Sequence, residues 1–431
     1  MNKGKSFLWA LMLGAFLLNL NGLLACSMYK VTVGDKTVVG CNEDAWRLTP
    51  HLWFENKSQK YLYGSAFTGS RFDGQYGYAP QSGMNEMGLA YSRLASRNVP
   101  EQKDFGKGRL KIDVPTMFLK EVLHQCKNVA EAKAFFERYD HSSFNGDVLI
   151  YVDREGNYLV VEPYLLTIGK EDRYVLSNFC PSVTSESDKN RLDRYRLGKE
   201  VLDSRIDTSL DFCKNLSDTM HVCRNKIGDG TLLTSIWDLK NLSFNLYFYH
   251  QYKDAVQFNL RDELAKGDRL IAVQSLFPAN KEFEQLGTYK TPQNSSLVMF
   301  GLIGLGGFFF LSSIVFLIMY FRNRGKQPYA RLQLLMFPLG LIMLFYLVVL
   351  CTHIYIFYFD FPYVDAGNVL VSMSSYIPIL LLLLMWPLLS VNYKLFKQRL
   401  WSGFSRVLFT LNNLSFILLL VLFVYWGLFG L

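Results

Sequence analysis

The last third of the chain contains four long runs without a charged residue, and no other feature restricts the fold as strongly. Each run is 25 or 28 residues long. Because about 20 apolar residues in an α-helix span the hydrocarbon core of a bilayer, each run is long enough for one transmembrane helix. We therefore predict an all-α transmembrane domain of four helices within 295–431, with spans at 297–321, 332–356, 367–391 and 407–429.

The charged residues between these runs predict how the helices are oriented. Segments 322–331 and 394–406 hold four Lys or Arg each, whereas the connection between the second and third spans holds only Asp360 and Asp365. The positive-inside rule places the two basic segments in the cytoplasm. We expect a multi-pass protein, most simply of a bacterial inner membrane, whose preceding domain lies on the extracytoplasmic, periplasmic side. No ionisable Asp, Glu, Lys or Arg falls within the spans, which favours anchoring or protein contact over transport.

Residues 1–25 are typical of a signal peptide for export. Lys3 and Lys5 precede a long apolar stretch, and the small residue Ala25 stands directly before Cys26. This order of a basic, an apolar and a small-residue region is typical of cleaved leaders. A retained N-terminal anchor is the alternative.

The net charge of +8 does not indicate a nucleic-acid partner. Residues 1–25 contribute +2 and residues 295–431 contribute +6, so residues 26–294 are balanced at 35 basic and 35 acidic residues. The excess charge therefore flanks apolar segments, where it determines topology rather than binding to phosphates.

Residues 26–294 are predicted to form one exported α+β domain. Three hairpins are indicated by alternating apolar residues around Gly34-Asp35, Gly156 and Lys240-Asn241. Helices are predicted over Val129–Tyr139, which is rich in Ala, Glu and Phe, over Glu186–Ser204, where apolar residues recur along one face, and over Asp211–Asn225. Antiparallel strands with helices in blocks are typical of layered α+β folds.

Cys26 is the first candidate for chemistry. If the leader is cut after Ala25, Cys26 carries both a thiol and a free α-amine, and an amine with a pKa of about 7.7–8.0 can act as the base for its own nucleophile. The sequence LLAC at 23–26 is also a good lipobox, in which the sulfur of Cys26 is acylated. These four residues alone leave both readings open.

Four motifs that follow one another along the exported domain are more specific. Cys26 is followed by GCNEDAW at 40–46, GMNEMGLA at 83–90, VVE at 160–162 and VLSN at 175–178. This order resembles the N-terminal-nucleophile (Ntn) linear amide C–N hydrolases. That family comprises the choloylglycine hydrolases and penicillin V acylases, with their isopenicillin-N acyltransferase-like and acid-ceramidase-like relatives. The resemblance covers roughly 26–250 and implies an αββα sandwich.

The resemblance also implies an enzyme and four site residues. Cys26 matches the nucleophile, Asp44 the carboxylate near the α-amine, and Asn178 the amide that orients the amine and the oxyanion. Arg194 matches an arginine that braces the site from a helix. The implied reaction is cleavage of a small-molecule N-acyl amide through a thioester, with no cofactor and no metal. The lipid membrane is the other expected partner, and no nucleic acid is expected.

Two positions depart from the family pattern. Cys41 stands where relatives carry an arginine, and Ala95 aligns with their Asn or Tyr, so one oxyanion donor is missing from its usual place. Either a backbone N–H or another side chain substitutes for it, or the activity is altered. The alternative function is therefore an inactive membrane-anchored lipoprotein, sensor or binding protein that retains the Ntn fold.

Overall fold

The structure is a computed structural model, and it describes residues 26–45, 49–96, 98–223, 230–323, 327–357, 361–364 and 368–430. The signal peptide predicted over 1–25 lies outside these residues. Contacts divide the described chain into two compact units, one that ends at Gly287 and one that begins at Thr288. Each unit is treated on its own below.

The first unit is built mainly of antiparallel strands. In the described part of the chain these are β1 (Ser27–Val33), β2 (Lys36–Ala45), β3 (His51–Glu55), β4 (Ser65–Gly69), β5 (Arg71–Phe72), β6 (Tyr78–Ala79), β7 (Ser82–Asn85), β8 (Ala90–Ala95), β9 (Asp147–Val152), β10 (Tyr158–Glu162), β11 (Leu165–Gly169), β12 (Arg173–Leu176), β13 (Gly230–Asp238), β14 (Ser243–Phe248), β15 (Gln251–Asn259) and β16 (Arg269–Ala272).

Among the described residues, seven helices accompany these strands, and the last of them runs one residue into the second unit. They are α1 (Pro115–Gln125), α2 (Val129–Glu137), α3 (Glu186–Lys189), α4 (Asp193–Ser204), α5 (Leu210–Met220), α6 (Leu260–Leu264) and α7 (Lys281–Thr288). The helix predicted over 186–204 is two helices, because the chain leaves the helical conformation at Leu192, which is the N-cap of α4. The apolar spacing that suggested one continuous helix therefore includes Leu192, which lies where the helical conformation is interrupted.

The three predicted hairpins are present, and the first one shows why. Gly34 adopts a φ of +62°, a left-handed conformation that the turn between β1 and β2 requires. Farther along the hairpin, Gly40 pairs with Tyr29 across the strands. A Cβ placed on Gly40 would lie 2.1 Å from Cζ of Tyr29, so glycine is needed for the ring to pack there.

Two large sheets organise the first unit. The six-stranded sheet has the order β12-β1-β2-β13-β14-β15, and the eight-stranded sheet has the order β11-β10-β9-β8-β7-β4-β3-β16. Because β1 lies between β12 and β2, Cys26 before β1 comes close to the last residues of β2 and to the residues that follow β12. The sheet order therefore gathers three of the family-like motifs at one end of the six-stranded sheet.

Side chains that alternate along the strands divide the apolar residues into two cores. Along β9, Val148, Ile150 and Val152 belong to a core that also contains residues of the six-stranded sheet and of helices α4 and α5. The intervening Leu149 and Tyr151 belong to a second core with residues of α1 and α2. The eight-stranded sheet is thus covered by apolar side chains on both faces.

The second unit contains helices α8 (Ser296–Asn323), α9 (Ala330–Thr352), α10 (Val369–Ser374), α11 (Ile377–Lys397) and α12 (Gly403–Tyr425). In the part of the chain that the structure describes, four helical segments are long and apolar enough to cross a membrane: α8, α9, α12 and the segment Val369–Lys397 that combines α10 with α11. The interior of the unit includes polar contacts, such as the 3.0 Å hydrogen bond from Ser312 Oγ to Asn412 Oδ1.

Candidate active site around Cys26

Cys26 occupies the first described position of the chain, immediately before β1, and is almost fully buried. Its strand pairs with β2 in the register Ser27 to Asn42 and with β12 in the register Met28 to Leu176. These registers bring Cys26 next to Asp44 on one side and Asn178 on the other. The strand pairing therefore determines the geometry of the site.

Asn178 holds the backbone nitrogen of Cys26. Cys26 N donates to Asn178 Oδ1 over 3.0 Å, and Arg194 Nη2 donates to the same oxygen over 2.7 Å. At the other end of the amide, Asn178 Nδ2 donates to the backbone oxygen of Ala95 over 2.7 Å. Since a guanidinium can only donate and a carbonyl oxygen can only accept, both contacts require the amide oxygen to point towards Cys26.

Arg194 reaches the site from the first turn of α4, where it is buried. Its Nε donates to Ser177 Oγ over 2.8 Å, and Ser177 Oγ lies 3.1 Å from the backbone oxygen of Cys26, to which it donates. The guanidinium therefore supports Cys26 twice, through Ser177 and through Asn178. Ser177 was not singled out from the sequence, although it precedes Asn178 in the VLSN motif.

Asp44 lies at the end of β2 and is buried. Its carboxylate accepts a short hydrogen bond from Thr231 Oγ1 on β13, and its backbone oxygen is 3.9 Å from Cys26 Sγ. The structure thus brings all four residues inferred from the family resemblance, Cys26, Asp44, Asn178 and Arg194, into one cluster. Thr231 is a further member that the sequence analysis did not identify.

The surroundings of the Cys26 thiol favour its protonated form. Burial raises the pKa of Cys26 well above its usual value, and the negative charges of Asp44 and Glu43 raise it further. A hydrogen bond with the backbone of Asp44 and the positive charge of Arg194 act in the opposite direction. A thiol held in this form needs an adjacent base to become a nucleophile.

Gln81, directly before β7, brings its side-chain amide close to the sulfur of Cys26. Its Nε2 lies 3.7 Å from Cys26 Sγ and also donates to the backbone oxygen of Arg93 in a short hydrogen bond. Backbone pairing reinforces this placement, because Arg93 N donates to the Gln81 backbone oxygen over 2.8 Å. No local pattern around Gln81 indicated this role, because its approach to Cys26 depends on contact between the two sheets.

The positions that depart from the family pattern have clear surroundings. Cys41 is buried on β2, and burial raises the pKa of its thiol to about 12 while hydrogen bonds with Ser92 and Ser235 lower it. It supplies no charge, and the positive charge of Arg194 lowers the pKa of Cys26 from another direction. Ala95 contributes its backbone oxygen, which accepts from Asn178.

Glu43 is a buried carboxyl group next to the site. Burial raises the pKa of Glu43 to about 7, although hydrogen bonds from Thr68 and Ser82 lower it and the charge of Asp44 raises it again. Because successive residues of a strand point to opposite faces, Glu43 lies on the face of β2 opposite to Asp44. It interacts with Thr68 and Ser82 of the eight-stranded sheet.

Comparison with known proteins was made by sequence and by structure. No protein-family model matches the chain, and no curated protein matches it in sequence. In structure, the chain is similar to a mutant and to a second variant of the conjugated bile acid hydrolase from Clostridium perfringens. Each is 16% identical with a TM-score of 0.43, and the matches cover 60% and 59% of this chain and 98% of theirs. It is also similar to penicillin V acylase from Agrobacterium tumefaciens, at 14% identity and a TM-score of 0.42, over 56% of this chain and 88% of that one.

Proposed function

We propose that the chain is an exported, membrane-tethered enzyme that cleaves a linear amide C–N bond, as a hydrolase or an acyltransferase, with Cys26 as an N-terminal nucleophile. One observation carries the proposal: the nitrogen of Cys26 donates to Asn178 Oδ1 within a buried cluster, while the thiol of the same residue lies beside it. We further propose that the two sheets and their helices form an αββα sandwich.

The first step would be transfer of the thiol proton to the α-amine that exists once the Ala25–Cys26 bond is cut. Asn178 Oδ1 can only accept, so it takes one N–H of the amine and leaves the nitrogen lone pair free for the thiol proton. Arg194 strengthens this arrangement because it fixes the amide oxygen in place. The products of the step are an ammonium group and a thiolate on Cys26.

The thiolate would then attack the carbonyl carbon of the substrate amide and form a tetrahedral oxyanion. Gln81 Nε2, close to the sulfur, is a suitable donor for that oxyanion and would replace the donor missing at Ala95. Asn178 Nδ2 has a second N–H besides the one given to Ala95, which matches the role that the family resemblance implies.

Collapse of the intermediate would break the C–N bond and leave an acyl thioester on Cys26. The ammonium group returns its proton to the departing amine, which leaves neutral. Water then hydrolyses the thioester in a hydrolase, whereas a second amine accepts the acyl group in an acyltransferase. No step requires a metal ion or an organic cofactor.

The four apolar helical segments support a tethering role for the second unit. In this proposal they span a bacterial inner membrane and keep the first unit on the periplasmic side. The substrate is a small-molecule N-acyl amide, and the membrane is the other partner. A nucleic acid is not part of the proposal, because the first unit has no excess of basic residues.

Intact-mass and N-terminal analysis of the purified full-length protein tests the nucleophile directly. We expect a mature chain that begins at Cys26 with a free amine and no lipid, whose turnover of N-acyl amides stops after iodoacetamide modifies Cys26. A diacylglyceryl group on the sulfur of most molecules would show that the lipobox reading is right and that this thiol cannot be the nucleophile.

A further inference from the structure

Glu162 is a buried carboxyl group that the proposed reaction does not use. It is the last residue of β10, in the eight-stranded sheet, and only 3% of its surface is exposed. Burial of a carboxyl group is costly unless hydrogen-bond donors replace the water that it loses. The groups that donate to Glu162 therefore indicate why a carboxyl group is retained at this position.

Ser182 supplies two donors to one oxygen of Glu162. Its backbone nitrogen donates to Glu162 Oε1 over 3.0 Å, and its hydroxyl donates to the same oxygen over 2.8 Å. Because both donors belong to one residue, the contact holds the backbone of Ser182 as well as its side chain. Ser182 lies in the segment that follows β12 of the six-stranded sheet, so Glu162 connects this segment to the other sheet.

The segment that Glu162 holds also carries Asn178. Only residues 179–181 separate Asn178 from Ser182, and the backbone around them is tightly turned. Phe179 N donates to the backbone oxygen of residue 177 over 2.8 Å, and Val183 N donates to the backbone oxygen of residue 180 over 3.2 Å. A displacement of Ser182 would therefore be transmitted to Asn178 over a short, hydrogen-bonded connection.

Cys180, inside this segment, provides a second link to the eight-stranded sheet. Burial raises the pKa of Cys180 to about 11, a hydrogen bond with Ser96 lowers it, and the charge of Glu162 raises it further. The sulfur lies 3.5 Å from Ser96 Oγ. Ser96 directly follows Ala95, whose backbone oxygen accepts from Asn178 Nδ2 over 2.7 Å. Neighbouring residues at the end of β8 thus contact the segment at two points.

The alignment of the Asn178 amide matters at both of its ends. Its Oδ1 accepts from Cys26 N over 3.0 Å, and its Nδ2 is a proposed donor to the oxyanion. Misplacement of such a group by about 1 Å can lower a rate by about 10². Arg194 contacts side chains of this segment, whereas Glu162 also holds its backbone through Ser182.

We propose that Glu162 is a positioning residue of the active site, which holds the segment after β12 so that the Asn178 amide stays aligned with Cys26. This role rests on the proposed function, because it concerns the same reaction. Glu162 acts through Ser182 and Asn178 rather than on the reacting atoms. If Glu162 only stabilised the fold, its removal would affect the protein equally with or without the Asn178 amide.

Turnover of chromogenic amides by the full-length protein in detergent tests the proposal. The acetyl, phenylacetyl and decanoyl p-nitroanilides are compared, and the one that the unmodified protein cleaves fastest is used. Glu162→Ala should lower kcat about 10- to 100-fold and change KM by less than about threefold, because alignment at the reacting atoms is lost. Glu162→Gln keeps an acceptor oxygen for Ser182 and should recover most of kcat. Glu155→Ala, at an exposed position in the turn between β9 and β10, is the matched control and should leave kcat unchanged.

A double-mutant cycle separates alignment from stability. If Glu162 acts through Asn178, Glu162→Ala should lower kcat by less than about twofold in a protein that already carries Asn178→Ala. A purely structural loss would lower kcat by the same factor in both backgrounds. Equal factors in the two backgrounds, or an unchanged kcat in Glu162→Ala alone, would overturn the proposal.

Ser182→Ala keeps the proposal testable if Glu162→Ala does not fold. This substitution removes the hydroxyl donor and leaves the backbone donor in place. It should lower kcat about fivefold, as expected for the loss of one hydrogen bond, and should have almost no effect in the Asn178→Ala background. The same loss in both backgrounds would contradict the role of Glu162.

Cys26→Ala distinguishes a failure of this proposal from a failure of the proposed function. Loss of turnover in Cys26→Ala together with normal turnover in Glu162→Ala would refute only the role of Glu162. Normal turnover in Cys26→Ala would refute the proposed mechanism and, with it, the alignment role that depends on that mechanism.

Discussion

Arg194 Nη2 donates to Asn178 Oδ1 over 2.7 Å, and this bond settles which end of the Asn178 amide meets Cys26. Because the guanidinium has no acceptor, the amide oxygen must point inwards, where it also accepts from the Cys26 nitrogen. The positive charge of Arg194 is thereby held close to both the nitrogen and the sulfur of Cys26.

Substitution of the nucleophile should abolish turnover of N-acyl amides. We expect Cys26→Ala and Cys26→Ser to lower kcat by at least about 10³, because only binding and oxyanion effects remain without the covalent step. Cys223→Ala, which changes an exposed cysteine, should retain activity. Near-normal turnover by Cys26→Ala would refute the proposed mechanism.

Removal of the Arg194 charge should shift the pH dependence of activity. Arg194 lowers the pKa of the Cys26 thiol, and a nearby positive charge lowers the pKa of an α-amine in the same way. Since the base must be the neutral amine, Arg194→Met should move the acidic limb of kcat/KM to higher pH by about one unit. Arg196→Met, on the exposed side of the same helix, should leave the profile unchanged, and an unshifted limb in Arg194→Met would contradict the role assigned to Arg194.

Gln81 should contribute to catalysis more than to binding. If Gln81 Nε2 donates to the oxyanion, Gln81→Ala should lower kcat by about 10²–10³ and change KM little. Gln102→Ala, at an exposed position, is the matched control. A change confined to KM would indicate that Gln81 contacts the substrate without stabilising the transition state.

Glu43 should make stability depend on pH. In the folded protein burial raises its pKa from 4.5 to about 7, so the folded state retains a proton that the unfolded state has lost. Its stabilising contribution is complete below pH about 4.5 and is lost as the pH rises to about 7, a difference of about 3 kcal/mol.

The change in Tm that Glu43→Gln causes in the full-length protein should therefore be more positive at pH 8 than at pH 4.5. Differential scanning fluorimetry at both values measures this, and Glu101→Gln at an exposed position is the control. An equal change in Tm at the two pH values would show that Glu43 does not titrate in this range.

Reporter fusions test the proposed orientation in the membrane. Four Lys or Arg in each of 322–331 and 394–406, against two Asp between the second and third spans, predict that fusions at residues 326 and 400 report a cytoplasmic location and that a fusion at 362 reports export. An exported signal at 326 would reverse the topology and remove the basis for a periplasmic first unit.

Local signals in the sequence predicted local structure well. The hairpin predicted around Gly34-Asp35 turns there, with Gly34 at a positive φ, and helix α2 begins at Val129, the first residue of the predicted helix. The segment 186–204 failed because Leu192 fits the apolar spacing of a single helix yet lies at the break between two. The spacing of apolar residues indicates which face of a helix is apolar, but it does not indicate where a backbone hydrogen bond of that helix is missing.

At the candidate site, too, local sequence patterns identified some residues and not others. Cys26, Asp44, Asn178 and Arg194 could be named because each belongs to a short motif in a family-like order. Thr231 and Gln81 could not, because their contacts join residues 187 and 55 positions apart. Such contacts depend on how strands from distant segments align, and no spacing rule within one segment encodes that alignment.

The hydrogen bond between the Cys26 nitrogen and Asn178 has a consequence for biogenesis. In the proposed mechanism this nitrogen acts as a base only as a free amine, so the cut between residues 25 and 26 is the step that creates the catalyst. Because Cys26 is buried beside β1, a peptidase would reach that bond most readily before β1 has paired, and the order of cutting and folding would then decide whether a given molecule becomes active.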